Sequence, residues 1–158
     1  MIRLALYQPD IPQNTGAAIR LCACMGIGLD IIEPCGFLWD KRKIRQAAMD
    51  YFDKADPIRH SSWQSFLDHY QGTQRIVLLT TKTDTPYHAF DFRSDDILLA
   101  GSESAGVPED VHNMADARVT IPMHPEMRSL NVINASSMIL GEALRQTKGF
   151  CHGSAKDN

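Results

Sequence analysis

The sequence predicts an α/β fold: a mostly parallel sheet of five or six strands, flanked by helices. Three observations predict it. Short apolar runs of strand length alternate with stretches of helical period along the whole chain. Parallel strands need a crossover between them, and helices at those places supply it. Finally, three loops rich in Gly, Asn, Ser and Pro each follow an apolar run directly. Ligands of open α/β sheets bind at the carboxyl ends of the strands.

The elements follow in order. Residues 2–7 (IRLALY) read as a buried strand, and 14–26 as a helix closed by Gly26 near its C-cap. Residues 29–34 give the next strand, and 41–49 a helix with a dense positive face. The segment 61–70 opens on serines suited to capping and spaces Trp63, Phe66 and Leu67 as a helix does. Strands follow at 75–81 and 96–101. A short helix at 107–114 has Pro108 in its first turn, and the last strand is 117–122. Residues 131–147 form the longest helix, with Val132, Ala135, Met138, Ile139 and Ala143 on its apolar stripe.

A chain of 158 residues suits one domain, here 1–150, followed by a short polar tail, 151–158, expected to fray. It is long enough to bury a core without disulfides or metal. The formal net charge of −3 excludes a global basic field, though local basic patches can still bind RNA. Cys22, Cys24, Cys35 and Cys151 match no zinc spacing and are expected to be small buried or half-buried thiols. The six histidines form no ligand pair, so no metal site is expected. The opening MIRLALYQPD lacks the apolar region of a signal peptide, and no apolar stretch approaches membrane-spanning length. The expectation is a cytoplasmic protein without a membrane partner.

The first polar loop is QPDIPQNTG (8–16). Asn14 either caps the helix behind it or serves a ligand. Arg20 on that helix is either a snorkelling surface residue or a holder of phosphate or ribose. The second loop lies within LLAGSESAGVPEDV (98–111) and is neither G-x-G-x-x-G nor a P-loop. Gly101 lets a ligand approach the backbone. Glu103 would repel phosphates. It suits a ribose hydroxyl, a cationic group or a partner arginine, or else it is a solvated loop carboxylate. The third loop, within IPMHPEMRSLNVINAS, ends on a helix starting near Ser129 or Asn131, with Ser129 a plausible cap. Asn131 and Asn134, one turn apart, read as a polar pocket or a double cap. Lys41, Arg42, Lys43 and Arg45 form a basic cluster: a solvated face or, with Arg20, Lys82 and Arg128, a phosphate-binding surface. Phe37 and Trp39 beside it fit core packing or base stacking.

Taken together, PQNTGAAIRLCACMG, LLAGSESAGV and IPMHPEMRSLNVINASSMILGEA resemble the three motifs of the SpoU branch of SPOUT-class RNA methyltransferases. Within the branch the chain is similar to the TrmL subfamily of tRNA wobble-position cytidine/uridine 2′-O-methyltransferases. That likeness extends over IIEPCGFLWDKRKIR and LTTKT, and overall it runs from residue 1 to about 148. It implies a deep trefoil knot at the carboxyl end, against the general rarity of knots. It implies S-adenosyl-L-methionine as cofactor, S-adenosyl-L-homocysteine as product, and no metal. The cofactor loops it points to contain Leu79, Thr80, Gly101, Glu103, Ile121, Met123, Ser129, Leu130 and Asn134. It implies catalytic roles for Arg20, Asn14 and Ser129, and tRNA, leucine tRNAs among them, as substrate. It also implies a homodimer through the first and last helices, with Arg20 of one subunit completing the site of the other. Gly141 departs from the aromatic residue common in relatives. The same resemblance leaves two other outcomes: another tRNA or ribosomal RNA target, or an RNA-binding homodimer without catalysis.

Overall fold

The computed structural model describes residues 1–151; of the tail expected to fray, 151–158, residues 152–158 lie outside the described residues. Six strands form one sheet: β1 (Arg3–Tyr7), β2 (Gly28–Ile32), β3 (Ile58–His60), β4 (Ile76–Leu79), β5 (Ile97–Ala100) and β6 (Ala117–Val119). Their order is β3-β2-β1-β5-β4-β6, and every pairing is parallel. The strand at 58–60 has no counterpart among the expected elements. It is a three-residue edge strand with Ile58 and Arg59 exposed, too short for a period to show.

The helices are α1 (Pro12–Met25), α2 (Lys41–Ala48), α3 (Phe52–Ala55), α4 (Trp63–Tyr70), α5 (Glu109–Met114) and α6 (Val132–Thr147). Helix α1 starts two residues before the expected place. Pro12 supplies the fixed φ of a first helical residue, and Ile11 is an N-cap without a side-chain bond, so Asn14 is not the cap. Gly26 closes the helix at φ 64, as its C-cap position requires. Asp40 and Ser62 cap α2 and α4 by accepting from backbone N–H groups. Pro108 lies just outside α5, as its N-cap.

The two faces of the sheet bury separate cores. On one face β1, β2 and β5 pack against α1, α2 and α6 through Ile19, Cys22, Ile44, Ile139, Leu140 and Leu144. On the other, Phe66, Leu67, Tyr70 and Val111 of α4 and α5 cover Ala5, Ile32 and Leu99. The α6 stripe is rotated from expectation. Ser136, Ile139, Leu140, Ala143 and Leu144 face inward, while Met138 is 44% exposed. Cys24 and Cys151 are also exposed, against expectation; burial pushes the thiols of Cys22 to about 12 and Cys35 to about 11.

Strand order positions the site. From β1 the chain builds outward to β2 and β3. It then crosses to the other half of the sheet, where β5 lies between β1 and β4. The loops leaving β1 and β5 therefore emerge side by side where the strand order reverses, and a crevice opens there.

One buried polar group stiffens the β1–β2 half. The Asp30 carboxylate, fully buried, accepts from Arg3 Nε at 2.7 Å and Tyr70 OH at 2.8 Å, and bonds His60 Nε2 at 2.7 Å. Removing it would strand a largely buried guanidinium. We expect Asp30→Ala to lower unfolding free energy by about 3–5 kcal/mol in urea denaturation. Tyr70→Phe, which removes one neutral donor, should cost about 1 kcal/mol.

Candidate active site

A cavity of about 980 Å³ opens at the carboxyl ends of β4, β5 and β6. Its walls are the loops after those strands and the first turns of α6. Backbone pairing ties the loops together. Thr80 N–H donates to Val119 O, Tyr87 N–H to Thr120 O, and Thr120 N–H to Thr85 O. After β5, Ser102 and Gly106 exchange two backbone bonds of 2.9 Å across a tight turn. A Cβ at Gly101 would lie 2.8 Å from Gly106 Cα, so only glycine fits there.

That turn presents Glu103. Its Oε2 accepts from Asp10 N–H at 2.8 Å and its Oε1 from Asn14 Nδ2 at 3.3 Å. Asn14 Oδ1 in turn accepts from Asn131 Nδ2 at 3.2 Å. Asn131 Oδ1 caps α6, accepting from Ile133 N–H at 2.8 Å and Asn134 N–H at 3.2 Å. One chain of hydrogen bonds thus crosses all three polar loops. Asn131, not Ser129, is the cap. Ser129 lies two residues before that cap, on the cavity wall.

The structure brings most of the expected residues together. Leu79, Thr80, Gly101, Glu103, Ile121, Met123, Ser129 and Leu130 line the cavity, as do Asn14 and Lys82. Asn134 does not line it; its side chain is on an exposed part of α6. Arg128 is exposed in the loop before α6. Arg20 is also outside the cavity. It lies exposed on α1, with its guanidinium 5.5 Å from the Tyr51 ring centroid and Nη1 3.3 Å from Met49 Sδ. Lys41, Arg42 and Arg45 line a separate groove of about 830 Å³ with Asp50 and Asp53, and Lys43 is exposed beside it. Arg45 bonds Asp53 through both terminal nitrogens. Among the described residues, no group of three or more His, Cys, Asp or Glu is placed to hold a metal ion.

Asp10 is the residue that sequence reasoning missed. Its Oδ2 accepts from Ser104 Oγ, and its Oδ1 is buried with no hydrogen-bond partner among the described residues. The preceding Gln8 takes φ 42, a left-handed conformation rare outside glycine, so this loop is held under strain. Two prolines flanking an acid (Gln-Pro-Asp-Ile-Pro) were the available signal.

Asp10 and Glu103 shift each other. Burial, then the adjacent Asp10, raises the Glu103 carboxyl above its ordinary 4.5. Hydrogen bonding from Glu103 and Ser104 lowers Asp10. Of the two, Glu103 is thus the easier to protonate and Asp10 the harder. A raised carboxyl binds more protons folded than unfolded, so its stabilisation is present at low pH and lost as pH rises through its folded pKa. Glu103→Gln cannot ionise. Thermal melts across pH should show this fall in the unmodified protein and a flatter profile in the variant; parallel profiles would refute the raised Glu103 carboxyl.

The comparisons with known proteins agree with this geometry. Residues 1–141 match the model of the SpoU rRNA Methylase family. A tRNA (cytidine(34)-2′-O)-methyltransferase of Beijerinckia indica is 59% identical over 144 residues, 90% of each chain. The protein of that name from Escherichia coli K12 is 40% identical over 148 residues, 92% of this chain and 94% of its own. A solved structure described as giving insights into 2-OH methylation of C/U34 on tRNA has a TM-score of 0.89 at 37% identity, over 94% of this chain and 97% of that one. The SpoU methyltransferase AviRb of Streptomyces viridochromogenes, solved in complex with AdoMet, has a TM-score of 0.80 at 28% identity, over 91% of this chain and 59% of its own. With three loop motifs joined at one cavity and nine-tenths of its length matched, this chain belongs to the SpoU methylase family.

Proposed function

We propose that this chain transfers a methyl group from S-adenosylmethionine to the ribose 2′-hydroxyl of nucleotide 34, the wobble position, of tRNA, with leucine tRNAs among its substrates. The observation that carries the proposal is the hydrogen-bonded chain Glu103–Asn14–Asn131, which locks the cofactor-side loops to the first helix beside the cavity. Relatives that match about nine-tenths of the chain are tRNA (cytidine(34)-2′-O)-methyltransferases.

The cavity suits the cofactor. Leu79, Ile121, Leu130 and Val132 offer an apolar wall, and the turn at Gly101 is bare enough for a ligand to approach main-chain groups. Thr80, Met123 and Ser129 complete the holding set. When bound, S-adenosylmethionine supplies an activated methyl on a positive sulfonium. The residues of this chain then have to position the 2′-hydroxyl, stabilise its developing charge and exclude water. Asn14 orients the first loop toward the cavity. No metal is required. The loops after β4, β5 and β6 take the knotted path of the SPOUT class.

Arg20 is the group suited to hold the neighbouring phosphate and ease deprotonation, yet it lies off the cavity of its own chain. A second copy supplies it. Helices α1 and α6 contact each other, and Met138 of α6 is exposed. A homodimer through these helices covers that surface and brings the partner's α1 to the cavity. The basic cluster Lys41, Arg42, Lys43 and Arg45, with Lys82 and Arg128, binds the RNA backbone.

Labelled methyl transfer to bulk tRNA from cells lacking the protein, followed by nuclease digestion, tests the reaction. Label in nucleotide 34 is expected. Label elsewhere in tRNA, or only in ribosomal RNA, would move the target, and cofactor binding without transfer to any RNA would leave a binding protein. Arg20→Ala should lower kcat about 100-fold or more while S-adenosylhomocysteine affinity is kept. Coexpressing Arg20→Ala with Gly101→Val subunits tests sharing of the site. Each homodimer should be inactive and the mixed dimer active; no recovery would place Arg20 within its own chain's site.

A further inference from the structure

We propose that the loop after β2, residues 33–40, reads an unpaired base of the RNA loop that carries the target ribose, with Leu38, Phe37, Trp39 and Arg59 as the reading surface. The proposal rests on the RNA methyltransferase function above and adds a specificity element to it.

The first observation is an apolar residue in the wrong place for a core. Leu38 is 93% exposed. On either side of it, Phe37 and Trp39 are half-buried, with rings 22° from parallel and centroids 6.4 Å apart. The Arg59 guanidinium lies 4.5 Å from the Trp39 centroid, and Glu33 holds it through an ion pair. Ring, ring and guanidinium form a ready column of flat surfaces. Such surfaces take nucleobases because every base has a π-face.

The second observation is charge. The loop runs directly into Lys41, Arg42, Lys43 and Arg45, while the whole chain carries a formal −3. This local positive field suits a polyanion carrying bases and opposes docking of the same face on another copy.

The third is attachment to the site. A Cβ at Gly36 would lie 2.4 Å from Asp10 Cβ, and Gly36 N–H donates to Pro9 O at 2.9 Å. Asp10 N–H donates to Glu103 on the cavity wall. The base-reading loop is therefore tied to the cavity wall through Asp10, which places it for a base near the methylated ribose.

The test uses the full chain and an anticodon stem-loop RNA. Leu38 has almost no packing to lose, so Leu38→Ser leaves the fold intact. We expect it to raise KM for RNA about ten-fold, as loss of one stacked base would, with S-adenosylhomocysteine affinity unchanged. In a Trp63→Phe background Trp39 is the sole tryptophan. Its emission should be quenched by the RNA, and much less by RNA made abasic beside the target nucleotide. An unchanged KM in Leu38→Ser together with unquenched Trp39 would overturn the proposal. So would a changed sedimentation coefficient in Leu38→Ser, which would make the loop a subunit contact. The fluorescence measurement needs no turnover, so it decides this surface even if methyl transfer to nucleotide 34 fails.

Discussion

Glu103 is the point at which this site is held together. Its two oxygens accept from the backbone of the first loop and from the side chain of α1, and that same side chain reaches the cap of α6. Parallel pairing of β1 with β5, Leu6 opposite Ala100, makes this possible by delivering the two loops at the same height. A carboxyl in this place is costly to desolvate, and Asp10 beside it adds repulsion. The polar chain is anchored at both ends, by Asp10 N–H on Glu103 and by the first N–H groups of α6 on Asn131, as a partly buried network has to be if it is to fix geometry.

Around that link the molecule divides its labour by layer. The apolar cores on both faces and the Asp30 cluster are far less exposed than the loops. Loop residues carry the site, and the rigid sheet sets where they emerge. The tight contacts Gly101–Gly106 and Gly36–Asp10 belong to the same scheme. They let backbones approach closely where a side chain would hold the loops apart.

A single chain makes a cavity but leaves its strongest candidate for charge stabilisation elsewhere. Arg20, the α2 cluster and the stacked column at Trp39 all lie outside the pocket that would hold the cofactor. On the proposed reading one chain builds the cofactor side, and the RNA side spreads over a wider surface, in keeping with an RNA loop being far larger than a methyl donor.

The sequence by itself determined the α/β class, five of the six strands and the three loops that meet at the cavity. Those features are written locally, in apolar periods and in runs of Gly, Asn, Ser and Pro. It could not show β3, because three residues at a sheet edge carry no period. Nor could it show that Asn14 and Asn131 bond each other, since they are 117 positions apart. Only the tertiary structure decided that Asp10 belongs to the site, that Met138 points outward and that Arg20 lies off its own cavity. Each depends on how strands order themselves in the sheet and how helices rotate upon it, and packing across distant segments settles both.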